Sequence, residues 1–176
     1  RDVKFLNEIS KTKNLNTRLL SSIIPSNENH KQWIYHRLKQ LILNKKAKRV
    51  AIWGLAYTEN TNTLRKSFAI EISVWLKNYG IEVSGFDGNI KKFSPQLSKT
   101  IKQLSNPISK IKSIDILIIL GKSKDFVNIS ANTIKKLNKK LIIIDPNYFC
   151  NYFEKIYKNN YFYVGKSSPF LTKDIK

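Results

Sequence analysis

Apolar positions along the chain follow two different periods, and the change between them sets the expected architecture. Over residues 1–44 the spacing is helical. Val3, Leu6 and Ile9, with Phe5, mark a segment over residues 1–13, and a second runs over 15–24. Ile34, Leu38, Leu41 and Ile42 form the stripe of a third segment, over 29–44, with Lys31, Arg37, Lys39 and Lys45 off it. Pro25 has no backbone donor, so it is expected to end the second segment, and Ser26 or Asn27 to cap the third. From residue 48 the pattern changes to apolar runs of strand length, over 50–53, 81–86, 114–120, 141–144 and 161–164. Helical segments over 67–79 and 129–137 fall between them, the first capped by Ser67 and ended by Gly80. The run over 114–120 is apolar without alternation, as in a strand covered on both faces. Residues 91–112 are rich in Lys and Ser and broken by Pro95 and Pro107, so a loop with one or two short helices is expected there.

Strand, loop, helix, strand is the outline of a parallel βαβ unit. The expected fold class is therefore α/β, a Rossmann-like parallel sheet flanked by helices over residues 48–176. An α-helical segment over residues 1–47 precedes it. The loop after the first strand, residues 54–67, leaves the sheet at its carboxyl edge, where open α/β folds bind ligands. Asp87 follows the second strand and reads as a turn with Gly88. A ribose-holding acid there would require G-x-G-x-x-G after the first strand, and Gly54 stands alone. Gly121-Lys122-Ser123 lacks the upstream glycine of a P-loop and reads as a strand-to-helix turn at the same ligand edge.

Composition narrows the function classes. With 176 residues and 41% hydrophobic content the chain can bury a core. No apolar run approaches the ~20 residues of a membrane-spanning helix. The single Cys150 excludes an internal disulfide framework and suits a reducing, cytoplasmic setting; it reads as a small core residue. His30 and His36 have no Cys or acid at ligand spacing, so no metal site is expected. The formal charge of +20 is spread over the whole chain, which argues against a nucleic-acid footprint and suits a phosphate-bearing small ligand.

The loop itself is specific. Gly54-Leu55-Ala56-Tyr57-Thr58-Glu59-Asn60-Thr61-Asn62-Thr63-Leu64-Arg65-Lys66-Ser67 resembles the G-L-A-F-K-x-N-T-D-D-x-R-E-S loop that opens the C-terminal domain of UDP-glucose/GDP-mannose dehydrogenases. It departs from that pattern at Thr58, Asn62, Thr63 and Lys66. Arg1-Asp2-Val3 resembles the end of the family's G-G-x-C-x-x-K-D motif, which implies a chain beginning just after the nucleophilic cysteine.

The resemblance implies the central helix and UDP-binding domain of an NAD-dependent enzyme of polysaccharide biosynthesis. Such an enzyme oxidises the C6 alcohol of a UDP-sugar to a carboxylate through a cysteine-linked thioester. It assigns Asp2 to catalysis, activating the hydrolytic water, and Arg1 and Arg65 to the NAD cofactor. Tyr57 and Thr58 fall to the UDP-sugar substrate, with Thr58 standing where the family has a lysine. Asn147 stands near where the family has an arginine. The N-terminal helices are implied to form a homodimer, and the isolated chain is expected to be inactive, with NAD held mainly by a domain outside it. The alternative is a non-catalytic dimeric module that binds a nucleotide or a protein.

Overall fold

The structure, a computed structural model, describes residues 2–166 and every side chain within them except that of Lys45. Two compact units are present, Arg1–Gln40 and Leu41–Lys176.

The first unit holds α1 (Asp2–Thr12) and most of α2 (Arg18–Lys45). α1 ends where Asn14 takes a left-handed conformation and Leu15 N–H bonds back to the Ser10 carbonyl at 2.9 Å. Polar side chains join the two helices: Asn7 Nδ2 donates to the Leu20 carbonyl at 3.4 Å, and Thr17 Oγ1 to Ser10 Oγ at 2.9 Å. Two expectations fail here. Pro25 does not end a helix but lies inside α2. The lost bond and ring clash cost about 3 kcal/mol, which a 28-residue helix with later buried turns outweighs. Arg37 is buried, although it was expected to fall off the apolar stripe. Positions 34, 37, 38 and 41 in fact share one helical face. The guanidinium carbon lies 5.7 Å from the centre of the Trp33 ring, Nη1 donates to Gln40 Oε1 at 3.3 Å, and burial lowers the arginine's pKa.

The second unit is a six-stranded sheet in the order β3-β2-β1-β4-β5-β6, with every pairing parallel. Its strands are β1 (Arg49–Trp53), β2 (Glu82–Phe86), β3 (Lys102–Gln103), β4 (Ile116–Ile119), β5 (Ile142–Ile144) and β6 (Tyr161–Phe162). Between them run α3 (Phe68–Asn78), α4 (Pro95–Ser98), α5 (Lys124–Val127), α6 (Ala131–Leu137) and α7 (Phe153–Tyr157). The architecture is the Rossmann-like α/β fold expected from the strand pattern, with one strand more.

β3 was not legible in the sequence because it is two polar residues long. Ile101 and Leu104 bury on either side of it, and Ser84 pairs with Lys102. Both edge strands have two residues, which leaves little unpaired edge for another chain to extend. Central β4 is buried throughout, as its continuous apolar run requires.

Trp53, fully buried at the end of β1, anchors one face of the core. Its ring centre lies 5.2 Å from that of Phe126 and its indole N–H donates to the Pro107 carbonyl at 3.1 Å. At the end of β5 the fully buried Asp145 accepts bonds from Phe149 N, Cys150 N and Tyr161 Oη at 3.0, 2.7 and 2.7 Å. Burial pushes this carboxyl above the usual carboxylate range, and the donated bonds pull it partly back. Cys150 lies beside it with no exposed surface, and burial pushes its thiol up to about 12. A nucleophilic cysteine needs the opposite environment, so Cys150 is a core residue. The native chain should therefore resist a thiol reagent at pH 8 over hours and react within minutes in guanidinium chloride; rapid native labelling would contradict the assigned burial.

Candidate functional site

The carboxyl ends of β1 and β4 are neighbours, yet the chain leaves β1 toward β2 and leaves β4 in the opposite direction, toward β5. That divergence is the switch point at which open α/β sheets hold ligands. A glycine ends each of the two strands. Gly54 has φ of +82°, and a Cβ placed on it would meet Gly121 N at 2.4 Å and Gly121 Cα at 2.6 Å. The two backbones are thus in contact, and a side chain on Gly54 would force them apart.

The loop after β1 is fixed at its base. Asp87 Oδ2, at the end of β2, accepts both Leu55 N–H and Ala56 N–H at 2.8 Å. Ser67 donates its hydroxyl to the Leu55 carbonyl at 2.6 Å and accepts from Ala69 N–H at 3.1 Å, so the cap of α3 also ties down the loop. Farther out, Tyr57 N–H bonds to the Thr63 carbonyl at 2.8 Å, with Asn60 and Lys66 in left-handed conformations. Charge-assisted bonds to a buried carboxylate contribute about 1.5–3 kcal/mol each, enough to hold the loop in one shape before any ligand arrives.

These elements enclose an open cleft of about 280 Å³, walled by the 54–59 loop, Asp87 and Asn89, the 120–123 turn, and Phe149 from the loop after β5. Ser123 caps α5: its hydroxyl accepts from Asp125 N–H at 3.2 Å and donates to Asp125 Oδ2 at 3.0 Å. Among the described residues there is no group of three metal-ligating side chains, and no helix is long and apolar enough to cross a membrane.

Residues 51–152, more than half of the chain, match the UDP-glucose/GDP-mannose dehydrogenase family, UDP binding domain. The chain belongs to that family. UDP-glucose 6-dehydrogenase of Rickettsia conorii is 30% identical over 150 residues, which are 82% of this chain and 34% of the relative. UDP-glucose 6-dehydrogenase TuaD of Bacillus subtilis is 25% identical over 146 residues, 82% of this chain and 32% of the relative. The chain therefore spans about a third of the length of the curated relatives it matches. Its fold is shared with a UDP-glucose dehydrogenase from Pyrobaculum islandicum. The TM-score is 0.65 at 14% identity, covering 86% of this chain and 34% of that one.

Within this member of the dehydrogenase family, the residues singled out in the sequence disperse. Tyr57, which is exposed, and Thr58 line the cleft. Arg65 is exposed on the same loop but outside the lining, and among the described residues it makes no ion pair with Glu59 or Glu71. Asp2 lies in the first turn of α1, in the other unit, and Arg1 lies outside the described residues. Asn147 is exposed after β5, while its neighbour Phe149 reaches the cleft.

Asp87 does form the expected turn, accepting Asn89 N–H at 3.0 Å. What the sequence reading missed is its second oxygen, which holds the β1 loop. An acid ending a strand beside the one that carries the ligand loop was the available signal. The same contact bears on NAD: with Asp87 engaged by backbone amides and Gly54 without further glycines, this domain does not fit the adenosine half of a dinucleotide.

The seam should be sensitive to one methyl group. Gly54→Ala should lower unfolding stability by about 2 kcal/mol or more, combining positive φ with a backbone clash. Gly80→Ala has positive φ but nothing within 4 Å, and should cost about 1 kcal/mol. Equal losses in urea titrations would mean that the strand ends are not in contact.

Proposed function

We propose that this chain is the substrate-holding part of a nucleotide-sugar dehydrogenase, with the UDP-sugar seated in the cleft at the carboxyl edge. The observation that carries the reading is the coincidence of that cleft with the loop 54–67, within a domain of the UDP-binding family. In the complete enzyme the sugar's C6 alcohol is oxidised to a carboxylate, and NAD supplies the hydride acceptor.

The chain's own residues bind and orient. Tyr57 offers an exposed ring against which a base or sugar can pack, and Thr58 offers a neutral hydroxyl. Arg65, exposed and without an ion pair among the described residues, is assigned to the pyrophosphate of a cofactor held elsewhere, a bidentate fit for a guanidinium. Arg1 is assigned to the same cofactor, and Asp2 to positioning the hydrolytic water. Cys150 is buried with its thiol protonated, so it offers no nucleophile to this chemistry. Isolated chain mixed with UDP-glucose and NAD is expected to form no NADH, while UDP should shift the backbone amide resonances of residues 54–59 and 121–123. Turnover by this chain, or resonances that do not move at millimolar UDP, would refute the reading.

The N-terminal helices are assigned to a homodimer contact. Six of the thirteen exposed large apolar side chains among the described residues lie within the first 24 positions: Phe5, Leu6, Ile9, Leu15, Leu19 and Ile24. Apolar side chains concentrated in this way mark contact surfaces. Trp33 and Tyr35 are half-buried and add nothing to that argument. Leu19, 83% exposed, is the most prominent. Leu19→Lys should weaken self-association at least about tenfold by light scattering, a loss of the order of one buried leucine. A wild-type chain that is monomeric at 100 μM, a concentration of the order used for such scattering measurements, would remove the assignment.

A further inference from the structure

Resting on that reading of the cleft, we infer that Lys122 is the cationic anchor for the diphosphate of the sugar nucleotide. Lys122 is the one cation among the described residues lining the cleft. It is brought there by the seam: the contact between Gly54 and Gly121 sets the residue after Gly121 beside the 54–59 loop. It is exposed and makes no ion pair among the described residues. Arg65 and Lys124 lie outside the lining.

The rest of the wall adds no second cation, though the N–H groups of Gly121, Lys122 and Ser123 make no hydrogen bond among the described residues and can share in holding an anion. The amides of Leu55 and Ala56 are engaged by Asp87, that of Tyr57 by the Thr63 carbonyl, and the Ser123 hydroxyl by Asp125. Thr58, Asn89 and the Tyr57 phenol are neutral groups. Glu59 and Asp87 carry negative charge at the cleft, and Asp125 sits just behind it, close enough that a Cβ on Gly88 would overlap its carboxylate. A dianionic diphosphate entering among these acids requires a compensating cation with free donors. A lysine on a four-carbon stem, with three N–H donors and no committed partner, provides it. The neutral uracil and sugar portions make no such demand. Lys122 therefore discriminates in favour of nucleotides bearing a diphosphate, and its loss spares the contacts to the base.

Calorimetric titration of the 176-residue chain with UDP, inorganic pyrophosphate and uridine tests this, comparing wild type with Lys122→Gln and Lys122→Arg. UDP affinity should fall about tenfold or more in Lys122→Gln, recover in Lys122→Arg and weaken with added salt, with uridine unaffected. Equal UDP affinity in wild type and Lys122→Gln, with both folded by circular dichroism, would overturn the anchor and leave the UDP reading of the cleft standing. Pyrophosphate binding that depends on Lys122, without any nucleotide binding, would keep the anchor and overturn that reading. Binding of neither UDP nor pyrophosphate by wild type would overturn both.

Discussion

The contact between two glycine backbones, at the ends of β1 and β4, is the constraint on which the rest of this domain depends. A parallel sheet opens a crevice at its switch point only if the chains leaving the two central strands diverge without blocking it. Here Gly54 and Gly121 approach so closely that neither a side chain nor a water-filled gap separates them at the base. The crevice is therefore formed above the seam by the loops themselves, the 54–59 segment on one side and the 120–123 turn on the other. Everything assigned to ligand binding follows from where those two segments must go after the glycines.

A second theme is the use of carboxylates as internal fasteners. Asp87 at the end of β2 and Asp145 at the end of β5 each accept two successive backbone N–H groups from a loop, and each adds a third donor. One orders the loop after β1, the other the turn from Pro146 to Cys150 that carries Phe149 toward the cleft. Loops at a carboxyl edge would otherwise expose unpaired amides, and these two acids satisfy them from the sheet side. Because those amides are satisfied, the two acid-fastened loops are pre-shaped, and free backbone donors at the cleft are left to the 120–123 turn.

The overall charge of +20 has a limited part in this. Lysines scattered over every face raise the potential around the molecule and attract anions generally. Exposed ion pairs such as Lys102 with Glu82 at 2.6 Å contribute little to stability. Selectivity needs a cation at a defined place with the acids nearby already engaged. Among the described residues lining the cleft, one cation stands at such a place, three residues after the fully buried strand β4.

The sequence by itself determined the class of fold, the loop that leaves the carboxyl end of β1, and the family. Each rests on local or one-dimensional information: apolar runs of strand length, a Ser67 cap, a glycine ending a strand, and a loop whose wording is distinctive. Boundaries also followed where one residue acts alone, as Gly80 does after α3. Tertiary structure alone decided what depends on distant partners. Pro25 can sit inside a helix because later turns bury enough to outweigh one missing bond. Lys102 and Gln103 form a strand because β2 offers an unpaired edge, although neither residue favours one. Asp87 was legible as a turn but not as a clamp, since its partners lie 31 and 32 residues earlier in the chain. Lys122 was legible as part of a strand-to-helix turn at the carboxyl edge, but not as a residue of the cleft wall. Its position in the cleft is set by the packing of two glycines 67 residues apart, and no local pattern encodes a contact between backbones.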